Sequence, residues 1–413
     1  MGLPDGRIYR ISRKTSLNQV YFLKTNFRKF LFGIALLLLP IFFNDNFNGG
    51  WIPIGVYVLL ITFGVSISLY YLAKILKVNP LYFFSLVLIM EVGIYATFYL
   101  VKNQQVKFPS IIQFSQNIYF QYLRNIPSFQ MGLGKYDPDL FYTLQLGNAV
   151  NANLEFSNHY QVNSQGTRDD ETSLDFPEII MLGDSHTMGW GVEQEETFAN
   201  LLERKAKKKV LNTGIVSYGT AREFLMFKKI KTDSCKTIVW QYCSNDIREN
   251  KSFIENGNQL KISSEEEYQF KYKRNFLQAN YYPFKYCFET LGHQFRRARH
   301  RQKFRDLPKV ELPKQIDYFF SIIKLLQADF TGEIIIFNLE SFETTDEYYL
   351  AFQKYIAEHH LEKIQLIDFS TILKKENYFI IDGHINVSGH QKVSKAIFSK
   401  IESESKSRSQ NEN

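Results

Sequence analysis

Glu178-Ile179-Ile180-Met181-Leu182-Gly183-Asp184-Ser185-His186 is the stretch on which the reading of this chain turns. Consecutive apolar residues, two of them β-branched, suit a strand buried on both faces, as in the middle of a parallel sheet. Glycine permits a tight exit from such a strand, and the serine falls where a helix would begin. Further short apolar runs rich in β-branched residues follow at 210–213, 238–242, 334–339 and 364–369. Between most of them lie stretches of helical period at 197–205, 222–231, 316–326 and 347–359, and another at 391–401 closes the pattern. Strands alternating with helices predict an α/β fold, a doubly wound, parallel five-stranded sheet in a three-layer α/β/α sandwich. Such sheets bind ligands beyond the carboxyl ends of their strands, where Ser185 follows the first strand directly.

About 200 residues after Ser185 the chain offers Asp382-Gly383-His384. A serine hydroxyl is a weak nucleophile until a histidine can take its proton, and the histidine works best when a carboxylate holds its tautomer. Two other strand ends carry groups suited to a developing oxyanion: Asn212-Thr213-Gly214, where glycine allows close approach to a backbone amide, and Ser244-Asn245-Asp246, where a side-chain amide can donate. Each residue also has a plainer reading. Ser185 would then cap a helix, Asp382 and Asn245 would form turns, and His390 would be the base in place of His384. Asp184 and His186 read as structural.

These blocks, in this order, resemble the SGNH hydrolases, also called the GDSL esterase and lipase family. Asn163-Ser164-Gln165-Gly166-Thr167-Arg168 before the first strand, and Gly189-Trp190-Gly191-Val192 with Glu196-Thr197-Phe198 after it, look like bacterial members of that group. The likeness covers roughly residues 136 to 402 and leaves out the apolar N-terminal region. It implies a flavodoxin-like SGNH fold with Ser185 as nucleophile, His384 as general base, Asp382 as its orienter, and an oxyanion hole from the Ser185 and Gly214 amides and the Asn245 side chain. Two departures stand out. Cys243 occupies the position where the family's third block usually has glycine, and Asp382 precedes His384 by two residues where three is usual. In an extended segment residues two apart still project to the same side.

The region before the hydrolase-like part is apolar. Stretches 51–72 and 81–101 are each long enough to cross a hydrocarbon layer that needs about 20 helical residues, and 30–43, interrupted by Pro40, is a shorter third candidate. The formal net charge is +7, and residues 1–102 account for all of it, so the remainder gives no global argument for a nucleic-acid partner. Arg7, Arg10, Arg13, Lys14, Lys24, Arg28 and Lys29 precede the first stretch, and Lys74 and Lys77 separate the second from the third. The positive-inside bias then puts residues 1–29 and the loop near Lys74 in the cytoplasm, and everything after Lys102 outside a multi-pass cytoplasmic-membrane anchor. Glu91 falls mid-span, where an ionisable group is costly and must face the helix bundle, protonated, or a partner.

Residues 102–150 read as a connector or the outer edge of the soluble domain, 151–402 as the hydrolase domain, 250–313 as an insertion beside its rim, and 403–413 as a polar, disordered tail. The insertion carries Arg296-Arg297-Ala298-Arg299-His300-Arg301, most simply a solvated helix face and more sharply a contact for anionic lipid headgroups or acidic glycan. Cys235, Cys243 and Cys287 make neither a disulfide framework nor a metal-ligand spacing, and the expected chemistry needs no cofactor or metal. The expectation is a membrane-anchored serine esterase removing acyl groups, O-acetyl foremost, from an envelope glycan or lipid. One rival is an O-acetyltransferase component acting with a multispanning partner, and another is a non-catalytic envelope glycan-binding protein.

Overall fold

The computed structural model describes residues 19–36, 51–231, 233–300, 310–361 and 363–411. Most of the basic N-terminus and the 37–43 end of the shortest apolar candidate lie outside the described residues. The chain divides into two compact units, Met1–Leu100 with Asn280–Arg301, and Val101–Ala279 with Gln302–Asn413.

The first unit is helical. Its helices cover residues 19–36, Trp51–Ile75, Pro80–Lys102 and Lys285–His300. The first begins well ahead of the expected boundary at residue 30, because Lys24, Arg28 and Lys29 are good helix formers with no proline or glycine among them. It approaches the second closely: a Cβ on Gly33 would lie 2.8 Å from the Ser68 amide nitrogen and 3.0 Å from the Gly64 carbonyl, the close packing that small residues allow between helices. Among the described residues Pro80–Lys102 is the helix long and apolar enough to cross a membrane.

The second unit opens with the helix Pro109–Ile118, one π-helical turn at Tyr119–Leu123, and two antiparallel hairpins, β1 (Gly134–Asp137) with β2 (Phe141–Leu144) and β3 (Gly147–Ala152) with β4 (Ser157–Val162). Residues 102–150 fall within this unit, as the domain-edge reading of them expects. The expected insertion 250–313 is likewise divided, the helix Glu265–Ala279 belonging to the second unit and Asn280–Arg301 to the first. The aromatic side chain of Tyr268 ties the former down among Phe129, Phe141 and Tyr136.

Five parallel strands follow: β5 (Ile179–Leu182), β6 (Val210–Asn212), β7 (Thr237–Tyr242), β8 (Glu333–Asn338) and β9 (Ile364–Leu366). Their spatial order is β6-β5-β7-β8-β9, the doubly wound arrangement with β5 at the switch point. Alternation along each strand sends side chains to opposite faces. Ile180, Leu182, Ile238, Trp240, Ile334 and Ile336 pack under the helices Thr220–Phe227, Leu312–Asp329 and Glu347–His359. Ile179, Met181, Val239, Ile335 and Phe337 pack against Phe198–Ala206 and Val387–Asn411. The last helix runs on to Asn411, past the point at 403 where the polar composition predicts disorder.

Candidate active site

At the end of β5 the chain turns through Gly183, where an added Cβ would collide with Thr187 Oγ1 and Gln241 Oε1. Asp184 then caps the short helix Ser185–Met188 by accepting the His186 amide at 3.0 Å. This places Ser185 at the first helical position, and its Oγ lies 2.7 Å from His384 Nε2. His384 Nδ1 makes a short hydrogen bond with Asp382 Oδ1. All three side chains are buried, with Ser185 5% exposed, His384 3% and Asp382 1%.

The two-residue spacing works by a turn, and not by the extended segment that the sequence suggests. Gly383 has φ +81°, in the left-handed region, and its amide donates to the Phe379 carbonyl at 3.1 Å while the Phe379 amide donates to the His384 carbonyl at 2.8 Å. A Cβ at Gly383 would also sit 2.6 Å from the Phe342 ring. Glycine is thus required here for both conformation and space.

Three groups converge on the other oxygen of Asp382. Tyr119 donates its hydroxyl to Oδ2 at 2.5 Å, Trp190 donates Nε1 at 3.0 Å, and Arg124 Nε lies at 3.7 Å. Burial pushes the Asp382 carboxyl up, but the charges of His384 and Arg124 and the hydrogen bonds from His384 and Tyr119 outweigh it, holding the group well below the usual carboxylate range. Asp382 is therefore an anion at neutral pH. The Trp190 indole also stacks on His384 at 5.3 Å between ring centres, and the Arg124 guanidinium covers that indole at 4.3 Å. Beneath them Glu155 accepts the amides of Ile380 and Ile381 at 2.9 Å and of Asp382 at 2.6 Å, fixing the main chain that carries the carboxylate.

The expected oxyanion donors are differently placed. The Gly214 amide donates to Asn212 Oδ1 at 3.0 Å, and a Cβ at Gly214 would strike the Met188 nitrogen, so this glycine packs against the serine-bearing helix with its N–H engaged in its own loop. Asn212 also donates Nδ2 to the Thr187 carbonyl at 2.9 Å, which makes the block a brace. Asn245 is exposed beyond β7. The loop bearing it is held by Glu340, which accepts the Ser244 amide at 2.8 Å and its hydroxyl at 2.7 Å. Cys243, in the place of the family's glycine, is buried with Sγ 3.7 Å from Glu340 Oε2.

Neither neighbouring histidine competes with His384. His390 Nδ1 accepts the Phe198 amide at 3.1 Å, and burial, with the nearby charges of Arg168 and His384, pushes it down to about 3. His186 packs its ring 4.7 Å from that of His384; burial first and His384 second keep it neutral. The other motif residues are supports. Asn163 Oδ1 accepts from the Gln165 and Thr167 amides at 3.1 and 3.2 Å. Arg168 bonds the carbonyls of His159, Gly189 and Val192 with its guanidinium 3.7 Å from the Tyr160 ring centre. Thr197 caps its helix through Asn200 N.

Sequence reasoning passed over Tyr119, Arg124, Glu155 and Glu340. Of the three groups on the Oδ2 side of Asp382 only Trp190 belongs to a sequence motif, and nothing local marks Tyr119 or Arg124. Among the described residues no His, Cys, Asp or Glu cluster is arranged to hold a metal.

No protein-family model matches the chain, and no curated protein matches it either. Among solved structures, a protein described as lipolytic and of the G-D-S-L family from Desulfitobacterium hafniense is 12% identical over 53% of this chain and 98% of its own, with a TM-score of 0.31. An acetyl xylan esterase from Butyrivibrio proteoclasticus is 11% identical over 55% of this chain and 64% of its own, with a TM-score of 0.32. A family two carbohydrate esterase from Clostridium thermocellum is 10% identical over 55% and 64%, with a TM-score of 0.31. What the site can do rests on its own geometry.

Proposed function

We propose that this protein is a serine esterase of SGNH type, held at a membrane by its N-terminal unit, that removes acyl groups from an envelope glycan or lipid, with O-acetyl the foremost candidate. One observation carries the reading: Ser185 Oγ is 2.7 Å from His384 Nε2, and the opposite ring nitrogen of His384 meets an ionised Asp382. That is the arrangement in which a histidine removes a hydroxyl proton while its tautomer is held.

In the proposed reaction Ser185 attacks the ester carbonyl and its proton passes to His384 Nε2. Asp382 keeps the Nδ1 proton in place and stabilises the imidazolium. The oxyanion meets the Ser185 amide and the Asn245 side chain. Collapse expels the alcohol, which takes the proton from His384, and water then attacks the acyl-serine by the same route. The membrane part of the reading is supported by the apolar Pro80–Lys102 helix, whose outward Leu81, Tyr82 and Ile89 are 71%, 72% and 69% exposed. Charge bias in the sequence orients the catalytic unit outward.

The test is a fluorophosphonate probe applied to intact and to permeabilised cells, together with hydrolysis of a short-chain ester. Ser185→Ala is expected to lose labelling and to lower hydrolysis by roughly 10³-fold or more. Full activity in that variant excludes the mechanism, labelling only after permeabilisation excludes the outward orientation, and acyl transfer to a glycan in preference to water makes the enzyme a transferase.

A further inference from the structure

The Lys285–His300 helix, which belongs to the same compact unit as Pro80–Lys102, starts at Glu91. Glu91 accepts the Cys287 amide at 2.8 Å, the Tyr286 amide at 3.2 Å and the Tyr281 hydroxyl at 3.0 Å. Tyr286 and Cys287 are the second and third residues of that helix, so these amides have no acceptor within it. Around this joint Phe284 meets Phe84 at 6.5 Å, Tyr286 meets Tyr95 at 6.0 Å and Phe98 at 5.5 Å, and Cys287 Sγ donates to the Val87 carbonyl at 3.4 Å.

Glu91 stands eleven positions from each end of the helix Pro80–Lys102. If that helix spans a bilayer, as proposed above, the joint lies near the middle of the hydrocarbon. An isolated carboxylate is costly there, and so is a helix start whose amides lack acceptors. Each group removes the other's difficulty.

We infer that Asn280–His300 is a re-entrant membrane element, docked by Glu91 at mid-depth, whose basic end reaches the anionic headgroups of a phospholipid bilayer. At about 1.5 Å per residue the eleven steps from Lys285 to Arg296 cover about 17 Å, close to half of a hydrocarbon layer of about 30 Å. Arg296, Arg297 and Arg299 then occupy the part of the helix that emerges into the headgroups. The exposed, apolar Phe288 and Leu291 precede them, in the part that would face acyl chains. The inference rests on the membrane reading of Pro80–Lys102, and its test separates the two.

Spin labels carried by non-natural residues at Ile89 and at Leu291 of the full chain, in vesicles of phosphatidylcholine with phosphatidylglycerol, report depth through their exposure to oxygen and to a water-soluble relaxant. Both are expected within the hydrocarbon. A label at Ile89 in water overturns the membrane reading; a label at Ile89 in lipid with Leu291 in water overturns only the re-entrant element. Glu91→Leu is expected to move the Leu291 label outward while Ile89 stays at depth, and an unchanged Leu291 depth overturns the docking role. A fluorophore at Leu291 is expected to be quenched more by brominated phosphatidylglycerol than by brominated phosphatidylcholine, and replacing the three arginines by glutamine should remove that preference. Equal quenching in the parent protein, or a preference only for an added acidic glycan, overturns the lipid assignment.

Discussion

Tyr119 donates its hydroxyl to Oδ2 of Asp382 at 2.5 Å, joining residues 263 positions apart on the side of the carboxylate that His384 leaves open. With Trp190 and Arg124 it surrounds the anion that meets Nδ1 of His384. Tyr119 follows the helix Pro109–Ile118 at the start of a single π-helical turn, and Arg124 directly follows that turn; such turns often mark functional positions.

Tyr119→Phe and Arg124→Met each remove an influence that holds the Asp382 carboxyl low, so it should move back toward the usual carboxylate range. Because the folded value is depressed, the stability Asp382 contributes is present above its unfolded value and lost as pH falls, and that acid loss is expected to be shallower in both variants. Denaturant midpoints measured between about pH 6 and 3 check this; an unchanged slope would mean that these residues do not hold the anion.

Gly383→Ala should cost stability and activity together. A left-handed alanine with its methyl against Phe342 is expected to lose about 1–3 kcal/mol. Because Asp382 and His384 flank the same turn, a shift of the order of 1 Å should also lower kcat by about 100-fold. Denaturant unfolding and steady-state kinetics on one preparation give both numbers.

Glu155 anchors three amides, yet burial, the largest influence, pushes it up to about 7. Its folded value stands above its ordinary one, so the folded state binds more protons than the unfolded chain between about pH 4.5 and 7. The stability it contributes is full below that window and falls as pH rises through it. Glu155→Gln loses at least one of the amide hydrogen bonds, about 2 kcal/mol, and its Tm should fall less than the parent's between pH 5 and 8. Thermal unfolding across that range reads the difference.

His390 separates support from catalysis. His390→Ala removes the acceptor of the Phe198 amide and is expected to destabilise by about 1–3 kcal/mol while leaving kcat within severalfold. The parent's His390 is depressed on folding, so the unfolded chain takes up protons first as pH falls below about 6.5. Its contribution is present above that pH and lost toward pH 3. The variant should show a shallower loss of stability in acid, measured by denaturant midpoint.

Much of the architecture was legible because side-chain period is local. Ile179 to Leu182 and its four companions are apolar on both faces, which a central parallel strand requires, and the intervening helical stretches fix the alternation. The placing of Ser185 near His384 was readable too, since strand ends of such a sheet share one edge. Loop chemistry was less so. Gly214 looked like an open oxyanion donor, whereas Asn212, two residues away, takes its amide. Residues 102–150 read equally as a connector or a domain edge, because nothing in their mixed polarity reveals that Tyr119 and Arg124 meet Asp382.

By itself the sequence determined the strand and helix pattern, the glycines at Gly183 and Gly383, and the order of the polar blocks, because these depend on neighbours within a few positions. Only the tertiary structure decided what surrounds the Asp382 carboxylate, which histidine serves the amide of Phe198, and that Glu91 caps a helix almost 200 residues away. Buried polar groups must find partners wherever the fold brings donors, and that pairing carries no period or spacing along the chain.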